Sequence, residues 1–211
     1  MKQLIIIGAG GHGRVLADCA EILGEYSSIV FLDDCYNKSK SSGHWQIIGP
    51  IKSFSEYIEN SDFIVAIGNN HFRGKIIEQL KANNAKLISL IHPSAVVSSN
   101  ASIGNGVILC ANATVNVGTR IDDGCIINTG ATVDHDCRIF SNVHISPGVN
   151  IAGGVTINAF SWLGISSTVI ECIIIAENTQ VGAGAVVTSE TESNSLYLGV
   201  PAKQVRSLTI N

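Results

Sequence analysis

Hydrophobic residues are spaced differently in the two halves of this chain. From Ile91 onward every sixth residue is a branched aliphatic: Val97, Ile103, Leu109, Val115, Ile121, Ile127, Val133, Ile139, Ile145, Ile151, Ile157, Leu163, Val169, Ile175, Val181 and Val187, with no insertion. Four residues after these comes a second, mostly small position, as at Val107, Ala113, Thr119, Cys125, Ala131, Cys137, Val143, Val149, Val155, Ser161 and Ser167. Glycine, asparagine and aspartate crowd the places between, as in "IGNGVI" and "IDDGCI". A period of six suits neither an amphipathic helix nor an alternating strand. It fits a parallel β-helix, in which each hexapeptide is a short strand plus a turn and three of them close one triangular coil. The aliphatic then points inward and stacks on its counterpart one coil away, at the ~4.8 Å spacing of neighbouring strands. Small second positions suit a narrow prism, and glycine or asparagine in the turns accepts positive φ. About five coils are predicted, at ~18 residues each.

The first half alternates instead between buried runs and amphipathic stretches. "QLIIIG" reads as a strand, "GHGRVLADCAEILG" as a helix ending at Gly24, and "SIVFLDD" as a second strand. "DFIVAIG" reads as a buried strand, "NHFRGKIIEQLKANN" as an amphipathic helix, and "AKLISLI" as a last strand. This is βαβ organisation, hence an α/β domain with a small Rossmann-like parallel sheet. The predicted divisions are 1–90 for this domain, 91–190 for the β-helix and 191–211 for a C-terminal extension.

Composition narrows the partners. The chain has 211 residues, 45% of them hydrophobic and only 14% charged, so it buries a core. A net charge of −4 offers no basic footprint for nucleic acid. The opening "MKQLIIIGAGGHG" is too short an apolar run for a signal peptide or a membrane span, which predicts a cytoplasmic protein. The six cysteines form no C-x-x-C pair and no zinc-spaced cluster; they read as free thiols serving as small buried hydrophobes, and no metal is expected.

Two places carry candidate chemistry. In "GAGGHG", glycines at 8, 10 and 13 have the G-x-G-x-x-G spacing between a strand and a helix, with Asp33 and Asp34 about twenty residues on. Such a turn admits a phosphate to the backbone and to the helix N-terminus. About 90 residues is one mononucleotide half rather than a pair, which favours a nucleotide-sugar over a nicotinamide cofactor. The bland alternatives are a turn that only packs helix on strand, and a polar strand end at "FLDD". The second place is "TGATVDHDCRIF", where His135 lies between Asp134 and Asp136, two residues after inward Val133 and therefore in a turn or on the outer face. A histidine oriented by a carboxylate is a suitable general base. It can equally be plain surface chemistry. His44, His71 and His92 carry no constellation.

The hexapeptide run, "HDCRIFSNVHISPGVNIAGGVTI" and "LGVPAK" at 198–203 resemble the bacterial hexapeptide acyltransferases, in particular the subgroup that acetylates nucleotide-linked amino sugars or sialic acid. The resemblance covers essentially the whole chain. It implies a left-handed coil, contrary to the usual right-handed crossover, and a homotrimer with active sites between protomers. It implies acetyl-CoA as co-substrate, His135 as base, and Asp136 as the acid bonded to it, where some relatives have glutamate; Asp134 could share that task. His144 matches a position near the thioester, against the alternative of an outward turn residue in a trimer contact. Gly153, Ile165, Gly182 and Ala183 match the cofactor path, with glycine frequent in relatives at the last. Gly10, Gly11 and His12 match the nucleotide-sugar cradle, Asp33 and Asp34 its base and ribose side, and Gly68 and Asn69 the closing loop. Arg73 stands beside that loop, or is a solvated helix residue. The activity implied is N-acetylation of a UDP-linked 4-amino-4,6-dideoxy sugar in surface-glycan biosynthesis, with a GDP-linked sugar as the alternative. O-acetylation of sialic acid and a non-catalytic nucleotide-binding module are the alternatives.

Overall fold

The structure is a computed structural model that describes residues 2–209. The chain divides into two compact units between Pro93 and Ser94.

The first unit holds strands β1 (Lys2–Ile7), β2 (Tyr26–Leu32), β3 (Ser41–Ser42), β4 (Trp45–Gly49), β5 (Ser61–Val65) and β6 (Lys86–Leu87), with helices α1 (Gly11–Leu23) and α2 (Asn70–Ala82). The sheet order is β3-β4-β2-β1-β5-β6, parallel except for the β3–β4 pair. Helix α1 stops where Gly24 takes φ 67, its N–H returning to the carbonyls of Ala20 and Glu21. The run "AKLISLI" is not one strand: it breaks at Ile88–Ser89 into Lys86–Leu87 and Leu90–Ile91. The parallel strand β4 has no counterpart in the reading of the sequence, because Trp45–Gly49 is short and neither alternates nor forms an aliphatic run.

From β1 the chain goes to β2 on one side and later to β5 on the other. The loops after β1 and β5 therefore flank the point where strand order reverses, the usual ligand crevice of a parallel sheet. A Cβ on Gly8, whose φ is 105, would sit 3.0 Å from the Ala66 carbonyl, so the two loops touch. A Cβ on Gly13 would collide with the Gly8 carbonyl, which is why helix and strand can approach so closely there.

The second unit is a three-faced parallel β-helix. Two-residue strands recur every six residues, and each pairs with the strand eighteen residues on: Ile108 with Ile126, Thr114 with Thr132, Arg120 with Arg138. The aliphatics from Leu109 to Val187 are buried in one continuous core, with the small second positions packed between them. Ile91 departs from the pattern and is 37% exposed. Three residues after each aliphatic the backbone is left-handed, from Gly106 through Asn112, Gly118, Gly124, Gly130, Asp136 and Asn142 to Gly184. Each turn needs one such residue to change direction within a hexapeptide, and glycine, asparagine and aspartate adopt it most readily. Beyond Val187 the antiparallel strands Ser195–Leu198 and Lys203–Ser207 extend one of the three sheets. No helix among the described residues is long and apolar enough to cross a membrane.

Cys19, Cys110, Cys125 and Cys137 are buried as expected, but Cys35 and Cys172 are exposed. Cys172 falls on a left-handed turn position (φ 57), which faces outward, and not on an inward one.

Candidate active site

At the strand ends of the first unit, the glycine turn forms a cradle. A Cβ at Gly10, Gly11 or Gly68 would meet nothing within 4 Å. Helix α1 begins there with Gly10 as N-cap and no side-chain cap, so its first amides face open space. Asp33 is committed to the loops: Oδ2 accepts from Ala9 N at 2.7 Å and Oδ1 from Cys35 N at 2.7 Å. Asp34 Oδ1 accepts from Ile51 N at 3.0 Å. The paired acids thus hold the shape of the crevice wall through backbone amides. Asn69 caps α2 by accepting from Phe72 N.

Arg73 is not a solvated helix residue. It is 0% exposed, and its guanidinium donates to the carbonyls of Ile67 (2.9 Å) and Gly68 (3.2 Å) and to Asn70 Oδ1 (2.7 Å). It holds the "AIGNN" loop from beneath. His12 is half-buried, and burial, helped by the Arg73 charge, pushes its pKa down to about 4. It is a neutral imidazole at physiological pH.

In the second unit, His135 occupies the turn between the strands Thr132–Val133 and Arg138–Ile139, at a corner of the prism. Its side chain is 55% exposed. Nδ1 lies 2.9 Å from Asp136 Oδ2, so the neutral ring carries its proton on Nδ1 and leaves the Nε2 lone pair available. Asp136 stands in the left-handed slot with φ 58, which turns its carboxylate back toward the preceding residue's ring. A side chain at Gly118, one coil below, would strike Asp136 Oδ1. A Cβ at Gly153, one coil above, would come within 2.5 Å of His135 Nε2 and 2.6 Å of Cε1. Two glycines thus clear the space the dyad occupies. Donation of a hydrogen bond to Asp136, reinforced by the charge of Asp134, raises the His135 pKa above its ordinary value.

Two contacts here were not read from the sequence. Asn116 Nδ2 donates to Asp134 Oδ1 at 2.8 Å, and the same oxygen accepts from His135 N at 2.8 Å. Buried Thr119, read only as an inward filler, donates to the Asp134 carbonyl (2.6 Å) and accepts from Cys137 N (3.1 Å). The signal that would have found both is the eighteen-residue coil spacing, which puts Asn116 under Asp134 and Thr119 under Cys137.

A groove of about 420 Å³ runs beside this corner, lined by the outward Thr114, Thr132, Asn150 and Thr168 with Asn116, Asp134, Ala152 and Glu171. His135 and Gly153 border the grooved face on one side. Ile165, Gly182 and Ala183 stand in the turns at its other edge, Ile165 being 53% exposed. The left-handed residue of that last turn is Gly184, not Ala183, so alanine is accommodated there without strain. Gly182 packs against Leu198 and donates its N–H to the Tyr197 carbonyl.

His144 is separate. It is a strand residue, not a turn residue, and projects from the sheet opposite the His135 corner. Its Nε2 lies 3.3 Å from Asn128 Nδ2, and its ring stacks on Trp162 at 6.1 Å between centroids. Trp162 in turn donates to Ser146 Oγ at 2.8 Å.

Residues 3–80 match the PglD N-terminal domain. Over nearly its whole length the chain is similar to the acetyltransferase domain of PglB from Neisseria gonorrhoeae FA1090: 40% identity, a TM-score of 0.94, and 97% of this chain and 100% of that one covered. The chain belongs to the hexapeptide-repeat sugar acetyltransferases. The second unit of this acetyltransferase fold is accordingly a left-handed β-helix. The gonococcal domain has also been solved in complex with acetyl coenzyme A. A second family member, PerB from Caulobacter crescentus, solved in complex with CoA and GDP-perosamine, is 34% identical with a TM-score of 0.90, and 98% of each chain is covered. A UDP-N-acetylbacillosamine N-acetyltransferase from Bacillus subtilis (strain 168) is 35% identical over 114 residues. That match takes in 53% of this chain and 52% of the relative, about half the length of each.

Proposed function

We propose that this chain is a cytoplasmic N-acetyltransferase that moves the acetyl group of acetyl-CoA onto the amine of a nucleotide-linked 4-amino-4,6-dideoxy sugar, UDP-linked in the first instance, for surface-glycan synthesis. The observation that carries the reading is the His135–Asp136 pair, with Nε2 clear of any side chain over Gly153. Aminolysis of a thioester needs a base at the amine and a site from which bulk is excluded. His135 Nε2 accepts the proton as the N–C bond forms. Asp136 steadies the imidazolium so produced, and the proton leaves with the departing thiol as the C–S bond breaks. The attack is direct; no acyl-enzyme is required.

Relatives on both sides support a nucleotide sugar as acceptor, since one is named for a UDP-sugar and another was solved with a GDP-sugar. The open glycine cradle beside Gly10, Gly11 and His12 suits the diphosphate. Asp33, Asp34, Asn69 and Arg73 shape that crevice. The grooved face, with Gly153 at one edge and Ile165, Gly182 and Ala183 at the other, suits the long arm of CoA.

The prism itself supports a shared site. If His144 attends the thioester, it lies on the opposite side of its own chain from His135, so one acetyl group meets both only between copies. A homotrimer supplies that arrangement.

The test is acetyl transfer followed by mass spectrometry, with acetyl-CoA and a UDP-4-amino-4,6-dideoxy sugar, its GDP counterpart and free sialic acid in parallel. Acetylation of one nucleotide sugar, abolished in His135→Ala, is the expected result. Acetylation of sialic acid alone, or full activity of His135→Ala, refutes the assignment.

A further inference from the structure

Between them the two acids beside His135 do different things, and the difference reaches one coil further down. Asp136 alone touches the ring. Asp134 turns away from it and takes hold of the backbone: a single oxygen, Oδ1, accepts from His135 N and from Asn116 Nδ2, both at 2.8 Å. An exposed carboxylate accepting one backbone amide could swing among several rotamers. The Asn116 amide removes that freedom, because it arrives from a different coil and fixes the oxygen between two donors. These two donors also keep Asp134 ionised, the Asn116 contact being the larger cause of its lowered pKa.

The geometry points to Asn116 as a positioning residue for the base: it anchors Asp134, which anchors the main chain at His135 and thereby the direction of Nε2. The inference rests on His135 being the base, and it extends that reading to a residue nineteen positions upstream. Other turns of the prism show what is particular about this one. The other described side-chain contacts between neighbouring coils are of different kinds: strand residues Thr132 with Asn150, the amides of Asn178 and Asn194, and the ion pair of Arg138 with Asp122. Among the described contacts, the coil under His135 presents an amide donor to a carboxylate that in turn caps the histidine's own N–H. The turns stacked below and above, Asn116-Val117-Gly118 and Ala152-Gly153-Gly154, contain no titratable group, so the charges facing the ring are those of Asp134 and Asp136. Asn116 is exposed and outside the core, which makes its replacement tolerable to the fold.

The experiment compares Asn116→Ala and Asn116→Asp with wild type and with His135→Ala. It reads kcat and KM for both substrates, the melting temperature, and the pH titration of the His135 ring by NMR. Asn116→Ala should lower kcat roughly tenfold, as expected when an oriented base is loosened, with both KM values within twofold and melting unchanged. Its His135 titration should move to lower pH as Asp134 swings free. Asn116→Asp also lacks the amide donor and sets a like charge against Asp134, so it should lower kcat at least as far as Asn116→Ala. Wild-type kcat and an unmoved titration in Asn116→Ala, with His135→Ala inactive, overturn the inference and leave the base assignment standing. A change confined to KM also overturns it, since that marks a substrate contact. An active His135→Ala overturns the base assignment itself.

Discussion

Replacing Gly153 by alanine adds a single methyl group directly against the proposed base. The backbone at 153 is not left-handed, so alanine fits the main chain without strain. The methyl would stand 2.5 Å from Nε2 and 2.6 Å from Cε1 of His135. Comfortable contact between such atoms needs about 3.5 Å, so the ring must withdraw by about 1 Å. The ring is half-exposed and held by one hydrogen bond, so it yields at little cost to the fold; a melting temperature within ~2 °C of wild type is expected. What it loses is the 2.9 Å contact with Asp136 and the direction of its lone pair. A displacement of about 1 Å at a reacting group costs on the order of 100-fold in rate. The assay is steady-state acetyl transfer with saturating acetyl-CoA and nucleotide sugar, beside circular dichroism melts of the same samples. Gly153→Ala that keeps more than half of wild-type kcat would refute the claim that the ring works from this position. A loss of kcat matched by a collapse in melting temperature would equally refute it, because the damage would then lie in the fold.

Three further outcomes follow from the same geometry. Asp136→Asn preserves a residue type that accepts positive φ but removes the carboxylate that raises the His135 pKa. The ring titration and the acidic limb of the kcat profile should both move to lower pH, with kcat on the plateau down roughly 10- to 100-fold; an unmoved limb contradicts the assignment. His12, with its pKa near 4 when folded and 6.5 when free, lets the unfolded chain take up a proton that the folded chain refuses. Stability should therefore fall as pH drops from about 6.5 toward 4, by up to about 3 kcal/mol from this residue; urea titrations of wild type and His12→Gln should converge in that window, and parallel curves would count against it. Finally, if sites are shared between copies, His135→Ala and His144→Ala, each impaired alone, should regain about a quarter of wild-type activity when their subunits are exchanged, by random assortment. No recovery after verified exchange would place both histidines in one chain's site.

Much of this was legible in the sequence because a solenoid stacks equivalent positions. Once the six-residue period is seen, inward and outward follow for nearly every residue from Leu109 to Val187, and His135 falls in a turn. Three coils' worth of contacts follow too, provided the eighteen-residue spacing is applied to polar residues as well as to aliphatic ones. Applied to Asp134 it leads to Asn116, and applied to His135 it leads to Gly153. The first unit was less transparent for a physical reason. Its site is assembled from loops far apart in sequence, and whether a polar side chain faces a ligand or a backbone amide depends on how those loops meet. Asp33 shows this: its spacing from the glycine turn suggested a ligand contact, yet both of its oxygens are taken by Ala9 N and Cys35 N. Arg73 shows the converse. Its helix pattern permitted a solvated residue, but two of the acceptors of its buried guanidinium, the carbonyls of Ile67 and Gly68, come from a loop whose path no local pattern specifies. In both cases the side chain holds the walls of the crevice, so a substitution there should act on the proposed nucleotide-sugar binding through loop geometry, raising KM for that substrate with kcat and the titration of His135 unchanged.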